Sequence, residues 1–434
     1  MKKFLGYFCL TAICAVTAMG CGALGTDETK TAVSTEQIVG SDTVQETPPA
    51  ETKDEEAPYE IAKVSDYLFE TTFYDYEEYY EMARERLEKY RPQLGGCSSI
   101  QNGMIRGRNY DWTYDEAPEF VVHVPAKEGR HASVGISTLL SITAKEVESI
   151  EKTDLLKLIP YSTVDGINDA GLTVNINVVT FGDKGEFVMK TEDTSDDICP
   201  TMICRLLLDK AGSIDEALSI MDEMDIFSLG PKYECHFMIS GPQSSQDATF
   251  NTIAVELIPD EDNHYQLSII DNNKNEFVDN KPIMTNFHLT GFDGTEESLT
   301  AHPAGYERYL ILSECFEQGK TVSGMKDLMK KVYFTKAYDA YSDMIWYSDF
   351  TDQEGLTMDG RGEKKISGDY SKAGKFADYY KSEVETYIKN GRKNGTASWH
   401  TVHTSVYDIE NKILYVIPQE GGFSYDFSFT ERIQ

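Results

Sequence analysis

The chain has 434 residues, with 73 Asp and Glu against 40 Lys and Arg, a formal net charge of −33 at pH 7. Such a surface repels nucleic acid and anionic membranes alike, so polyanionic partners are excluded. No basic stripe, zinc-finger spacing or aromatic RNA-binding motif offsets it, and no cofactor-binding motif is present.

Residues 1–20 read as a secretory signal, with Lys2 and Lys3 followed by an apolar run from Phe4 to Met19. That run of 16 residues falls short of the ~20 needed to span a bilayer. Ala18-Met19-Gly20-Cys21 places small residues before a cysteine, the pattern of a bacterial lipoprotein. Cys21 is therefore the expected lipidation site, holding the exported protein at the cell surface or the periplasmic side of the membrane. Residues 21–58 follow as the lipidated cysteine and an acidic tether. From Gly22 to Pro58 there is no aromatic residue, and nine acidic residues face two lysines. Such a stretch cannot bury enough apolar area to offset its conformational entropy.

Residues 59–96 differ. Tyr76, Tyr79, Tyr80, Ala83, Leu87 and Tyr90 recur at helical spacing, and the helix is expected to stop before Pro92. We read 59–96 as a helical propeptide packed on the domain that follows, residues 97–434; the alternative is an N-terminal helix that is never released.

The stretch Cys97-Ser98-Ser99-Ile100-Gln101-Asn102-Gly103-Met104-Ile105-Arg106-Gly107-Arg108-Asn109-Tyr110-Asp111-Trp112 is a hairpin by its Asn-Gly signal. A turn centred on Asn102 and Gly103 sets Cys97 opposite Arg108, within reach of a guanidinium that favours the thiolate. The same residues also suit an ordinary hairpin with a buried structural cysteine. Gly95-Gly96 before Cys97 is a flexible junction. Cysteine at a new N-terminus would bring its own base, since an α-amine titrates near ~8.

Further strands are expected at Glu119–Pro125, Ser133–Ser137, Leu172–Val179, His236–Ser240, Thr252–Leu257, Gln266–Ile270, Val402–Tyr407 and Ile413–Ile417. Helices are expected at Pro200–Lys210, Ser213–Met224, Tyr306–Glu317, Val322–Val332 and Lys375–Asn390, with Ser213 as an N-cap ahead of Asp215 and Glu216. This pattern supports a mixed α and β class. Beyond the signal and Cys21, Cys97 leaves Cys199, Cys204, Cys235 and Cys315, and a domain of this size needs no disulfide framework. His400-Thr401-Val402-His403 lacks metal-helix spacing and sits in a strand-like run. His288 is either a pocket residue or a structural histidine. A papain-like pairing of Cys97 with a histidine lacks its Cys-Trp context.

Gly96-Cys97-Ser98-Ser99 followed by Gly107-Arg108-Asn109-Tyr110-Asp111-Trp112 resembles the opening of the N-terminal-nucleophile amidases of the choloylglycine hydrolase, penicillin V acylase and acid ceramidase group. Asp165-Gly166-Ile167-Asn168-Asp169-Ala170-Gly171-Leu172-Thr173-Val174-Asn175-Ile176-Asn177 is similar to that family's strand pair ending in an active-site asparagine, here Asn177 with Asn175 as fallback. Met284-Thr285-Asn286-Phe287 resembles its Thr-Asn motif, and Gly305-Tyr306-Glu307-Arg308-Tyr309 falls where the family carries a further arginine. The resemblance implies an α+β fold, the four-layer αββα sandwich, with Cys97, Arg108, Asp111, Asn177, Asn286 and Arg308 as catalytic residues. A two-residue turn stands where the bile-salt and penicillin enzymes have a longer hairpin, so a bile-salt preference does not carry over.

The expected chemistry is hydrolysis of a linear amide of a small N-acyl compound, without cofactor or metal. The Gly96–Cys97 bond breaks by autoproteolysis, and the Cys97 amine takes the thiol proton. The thiolate then forms a thioester while Asn286 Nδ2 and a donor near Asn177 hold the oxyanion. Arg108 supports the thiolate. Asp111 orients the amine or Arg108, the latter only if the strand bends near Asn109. Acyl transfer on the same residues is the alternative within this chemistry. A non-catalytic ligand-binding surface lipoprotein is the alternative outside it.

Overall fold

Five strands are buried along their whole length, so both of their faces are covered. The computed structural model describes residues 59–89, 97–112, 118–139, 155–180, 198–224, 233–259, 265–292, 305–333, 400–418 and 425–428. All of them fall within one unit, Glu56–Gln434. The signal, Cys21, the tether, residues 90–96 and the helix expected at Lys375–Asn390 lie outside the described residues.

The elements in chain order are β1 (Tyr59–Lys63), β2 (Leu68–Phe73), α1 (Tyr80–Lys89), β3 (Cys97–Asn102), β4 (Ile105–Trp112), β5 (Glu119–Val124), β6 (Ser133–Thr138), β7 (Thr163–Asn168) and β8 (Thr173–Thr180). There follow α2 (Pro200–Lys210), α3 (Ile214–Asp222), β9 (Tyr233–Pro242), β10 (Phe250–Pro259), β11 (Tyr265–Asp271), β12 (Ile283–Met284), α4 (Tyr306–Glu314), α5 (Val322–Lys330), β13 (His400–Asp408), β14 (Ile413–Pro418) and β15 (Tyr425–Ser428). Local signals act where expected. Pro200 opens α2, where its missing N–H costs nothing, and the Ser213 hydroxyl accepts the Glu216 N–H at 3.3 Å to cap α3.

Nine strands form one sheet in the order β1-β2-β5-β6-β7-β8-β9-β10-β11, and six form a second in the order β12-β3-β4-β13-β14-β15. Period-two alternation shows how they stack. In β7, Gly166 and Asn168 face α2: Asn168 Nδ2 donates to the carbonyls of Leu208 (3.1 Å) and Ala211 (2.7 Å). Asp165 faces the other sheet, accepting from Arg108 and Tyr407. In β4, Asn109 donates to the Met329 and Val332 carbonyls at the end of α5. Arg106 and Arg108 point inward to the nine-stranded sheet. The layers therefore run helix, sheet, sheet, helix, the αββα arrangement.

The close approach of α2 uses Gly166. A Cβ there would lie 2.5 Å from Leu208 Cδ1 and 3.0 Å from the Val134 carbonyl oxygen. Gly166→Ala is therefore expected to lower the unfolding free energy by about 1–3 kcal/mol through overpacking, measured as a shift in urea midpoint at constant slope. An unchanged midpoint would show that α2 moves aside freely.

One expectation needs correction. Residues 59–73 are not helical: β1 and β2 are strands of the nine-stranded sheet, with β2 pairing in parallel with β5. Among the described residues the α-helix spans Tyr80–Lys89. A parallel partner more than forty residues away supplies ladder bonds that local helix spacing does not anticipate. The segment is built into the core. The buried Tyr76 donates its O–H to Asp209 at 2.6 and 2.8 Å. Arg130 donates to Glu77 (2.7 Å) and to the Tyr74 carbonyl (2.8 Å).

Candidate active site

Cys97 begins β3 on the face turned toward the nine-stranded sheet and is fully buried. The β3–β4 hairpin pairs Cys97 with Tyr110 and Ser99 with Arg108, which corrects the expected Cys97–Arg108 register. The two-residue turn is Gly103-Met104 rather than Asn102-Gly103, and only Gly103 takes positive φ (59°). That is the arrangement of a type II′ turn. The displacement is two residues, so every side chain keeps its face. Arg108 still reaches the sulfur diagonally: its Nη2 lies 3.7 Å from Cys97 Sγ.

β12 pairs Ile283 with Ile100 and Met284 with Ser99. Continued by two residues, this register sets Asn286 level with Cys97. Asn286 Oδ1 accepts the Cys97 backbone N–H at 3.0 Å, and its Nδ2 donates to the Val178 carbonyl at 2.7 Å. The acceptor end of this amide thus faces Cys97 N. Arg308, in the first turn of α4, donates to the Cys97 carbonyl at 2.7 Å, to Asp111 at 3.1 Å and to Asn286 Oδ1. Thiol, N–H and carbonyl of one residue are each held by a fixed side chain.

Asp111 accepts from Arg308 and, at 2.6 Å, from the Thr401 hydroxyl. No bend brings it round to Arg108; alternation carries it to the opposite face, and its ion pair is with Arg308. A bulge in β13 serves this geometry. Thr401 opposes Asp111 while His403 opposes Tyr110, leaving Val402 as the extra residue. Residues two apart normally share a face; the bulge lets Thr401 serve Asp111 while His403 points between the sheets.

Asn177 lies behind the centre. Its Nδ2 donates to the Met284 and Thr285 carbonyls at 3.2 and 3.3 Å, and its Oδ1 accepts from Ser99 and Asn175. Asn175 also donates to Ser99 and accepts from the buried Arg106. His288 pairs with Glu256 at 3.5 Å, and the same carboxylate accepts the Leu289 and Thr290 N–H groups. Glu256 thereby anchors the chain just beyond Asn286.

Burial dominates the electrostatics. It pushes the Cys97 thiol above its ordinary range, while Arg108, the Asp111 backbone and Arg308 act in the opposite direction. Burial likewise raises the Asp111 carboxyl to about 6 against the pull of Arg308 and Thr401. Asp165 is buried too, yet Arg108, His403 and Tyr407 hold it well below the usual carboxylate range. Three residues of this network were not singled out from sequence as site residues: Asp165, His403 and Glu119. The signal for the last two was a charged residue inside an otherwise buried strand.

The family model described as acyl-coenzyme A:6-aminopenicillanic acid acyl-transferase matches residues 98–353, more than half of the chain. No curated protein matches in sequence. Among solved structures, a variant of the conjugated bile acid hydrolase from Clostridium perfringens is similar at 14% identity and a TM-score of 0.36, covering 77% of this chain and 92% of that one. Penicillin V acylase from Agrobacterium tumefaciens is similar at 14% identity and a TM-score of 0.35, covering 78% of this chain and 87% of that one.

Proposed function

The chain belongs to the acyl-coenzyme A:6-aminopenicillanic acid acyl-transferase family, and from that premise we propose a cysteine N-terminal-nucleophile enzyme that cleaves the linear amide of a small N-acyl compound. The observation that carries this reading is the hold on Cys97 by Arg108 at sulfur, Asn286 at N–H and Arg308 at carbonyl.

In the uncut chain the Cys97 nitrogen is an amide and cannot act as a base. Breaking the Gly96–Cys97 bond converts it to an amine that titrates near ~8. Asn286 Oδ1 keeps this nitrogen beside the sulfur, so it accepts the thiol proton. The thiolate attacks the acyl carbonyl, and the C–N bond breaks as the ammonium returns its proton to the leaving nitrogen. The resulting thioester is then opened by water. One Nδ2 hydrogen of Asn286 is held by the Val178 carbonyl, so the oxyanion takes the second, a contact of typically ~2.7–4 kcal/mol at the transition state. Asn177 acts by holding the carbonyls of residues 284 and 285. Arg308 and Asp111 fix the nucleophile from the helical side.

Acyl transfer is the second reading, favoured by the family description: an amine in place of water takes the acyl group from the same thioester. Adding hydroxylamine separates the two, because a transferase diverts acyl groups to hydroxamate faster than it releases acid. A ligand-binding surface protein would yield neither product. Export on a lipidated Cys21 belongs to the same proposal, tested by metabolic labelling with a fatty-acid analogue and its loss in Cys21→Ala.

The deciding experiment is intact mass and N-terminal sequencing of protein expressed from residue 22. A fragment beginning at Cys97 is expected; a single uncut chain would leave Cys97 without its base and remove the scheme. The released N-terminal fragment is also expected to co-elute with the catalytic chain under native conditions. β2 is laddered to β5, and Tyr76 and Glu77 are bonded to Asp209 and Arg130. Separation on a sizing column without denaturant would contradict that.

A further inference from the structure

A chain of alternating charge runs between the sheets behind the Cys97 sulfur. Arg108 donates from Nη1 to Asp165 Oδ2 at 2.7 Å, and from Nη2 to the Ile176 carbonyl at 2.8 Å while facing Cys97 Sγ at 3.7 Å. Asp165 accepts from the hydroxyls of Tyr407 and Ser405, the latter at 3.2 Å, and His403 Nε2 lies 3.4 Å from it. His403 Nδ1 lies 2.9 Å from Glu119 Oε2, an ion pair. Arg108, Glu119, Asp165 and His403 are each no more than 1% exposed.

We propose that Asp165 and His403, with Glu119 behind them, are positioning residues that hold the Arg108 guanidinium against the Cys97 sulfur and so set the ionisation of the nucleophile. This deepens the proposed function and rests on Cys97 being the nucleophile. A guanidinium with neutral anchors alone would turn to whichever anion lay nearest. Here one nitrogen is fixed by a carboxylate, itself fixed by three donors on β13, and the other has only the sulfur and one carbonyl. The planar fork converts the first constraint into the second.

The cation on His403 keeps the arrangement neutral. Two carboxylates, Glu119 and Asp165, face two cations, Arg108 and His403. Burial disfavours the imidazolium, yet the two carboxylates outweigh it and raise His403 to about 9. The groups facing His403 are Glu119 from β5, Asp165 from β7, and the Tyr110 ring stacked 5.3 Å away with Arg108 and Asp111 from β4; Ser405 and Tyr407 share its strand. The unfolded chain titrates near ~6.5, so the His403 contribution is complete below that and lost as pH rises through about 9. Above it, Asp165 is left with arginines, Arg108 bonded to it and Arg106 farther off, and draws the Arg108 guanidinium from the sulfur.

The test follows the Cys97 thiol directly, using full chains carrying carbon-13-labelled cysteine, with the resonance assigned by its loss in Cys97→Ser. Asp165→Asn is expected to raise the pH of thiol ionisation by about one unit or more. His403→Gln is expected to raise it by less and to abolish any dependence on the titration near 9. Loss of the Asp165 charge by itself favours the thiolate, so a rise reports the loss of Arg108 from the sulfur. An unchanged or lowered value in Asp165→Asn, with native circular dichroism, would overturn the proposal. A lowered one would mean that Asp165 competes for Arg108 rather than aiming it. Should Asp165→Asn fail to fold, His403→Gln and Tyr407→Phe decide by the same criterion. The titration needs no substrate, so it is readable even where the chain cleaves no amide, and the two failures are distinguishable.

Discussion

Cys97→Ala is expected to remain a single uncut chain and to lose amide-cleaving activity by roughly 10⁴-fold or more, the scale seen when a covalent nucleophile is removed. Two losses coincide. The methyl group cannot attack the Gly96 carbonyl, so the amine base is never released. Nor can it form the thioester. Arg308, Asn286 and Arg108 remain, and they bind a carbonyl without cleaving it. Cys204→Ala is the control, because that thiol is buried elsewhere with its sulfur 3.9 Å from the Val164 carbonyl. Intact mass and acid release from a panel of N-acyl amides measure both quantities. A Cys97→Ala protein that is cut, or that turns over normally, would end the nucleophile reading.

The local part of this site was legible in sequence and the non-local part was not. Hairpin, cysteine and arginine lie within twelve residues, and the Asn-Gly signal found the turn. It did not choose between two turn types that glycine accommodates equally, which is why the register came out two residues off. Period-two alternation made that error harmless to the faces. It also sent Asp111 away from Arg108, as observed, and its partner turned out to be Arg308 on α4. By contrast, the row Glu119–His403–Asp165 depends on β13 lying beside β4 and beneath β7. Strand order between segments so far apart in the chain is not encoded in any local pattern. The same limit hid β1 and β2: their partner strand, not their own spacing, makes them strands.

Arg308→Met tests whether the helical side of the site is structural as well as chemical. Arg308 is 4% exposed, and its guanidinium joins Asp111, Asn286 Oδ1 and the Cys97 carbonyl. Removing one member of a buried pair leaves the other charge uncompensated, which costs about 3–5 kcal/mol. The sign with pH follows from Asp111. Burial already raises its carboxyl to about 6, and without Arg308 it rises further. A carboxyl raised in the fold above its unfolded value near ~3.9 stabilises only in its protonated form, and that contribution is lost as pH rises through the folded value. The variant should therefore be more destabilised at a pH of about 8 than of about 5. Asp111→Asn in the same chain should recover part of the loss, since the two side chains are in contact and their effects are not additive. Urea unfolding of the wild type, both single variants and the double variant at each pH completes the cycle. Equal losses at both pH values, with additive singles, would show that Arg308 supports only the Cys97 carbonyl and Asn286, and that Asp111 is held by Thr401 alone.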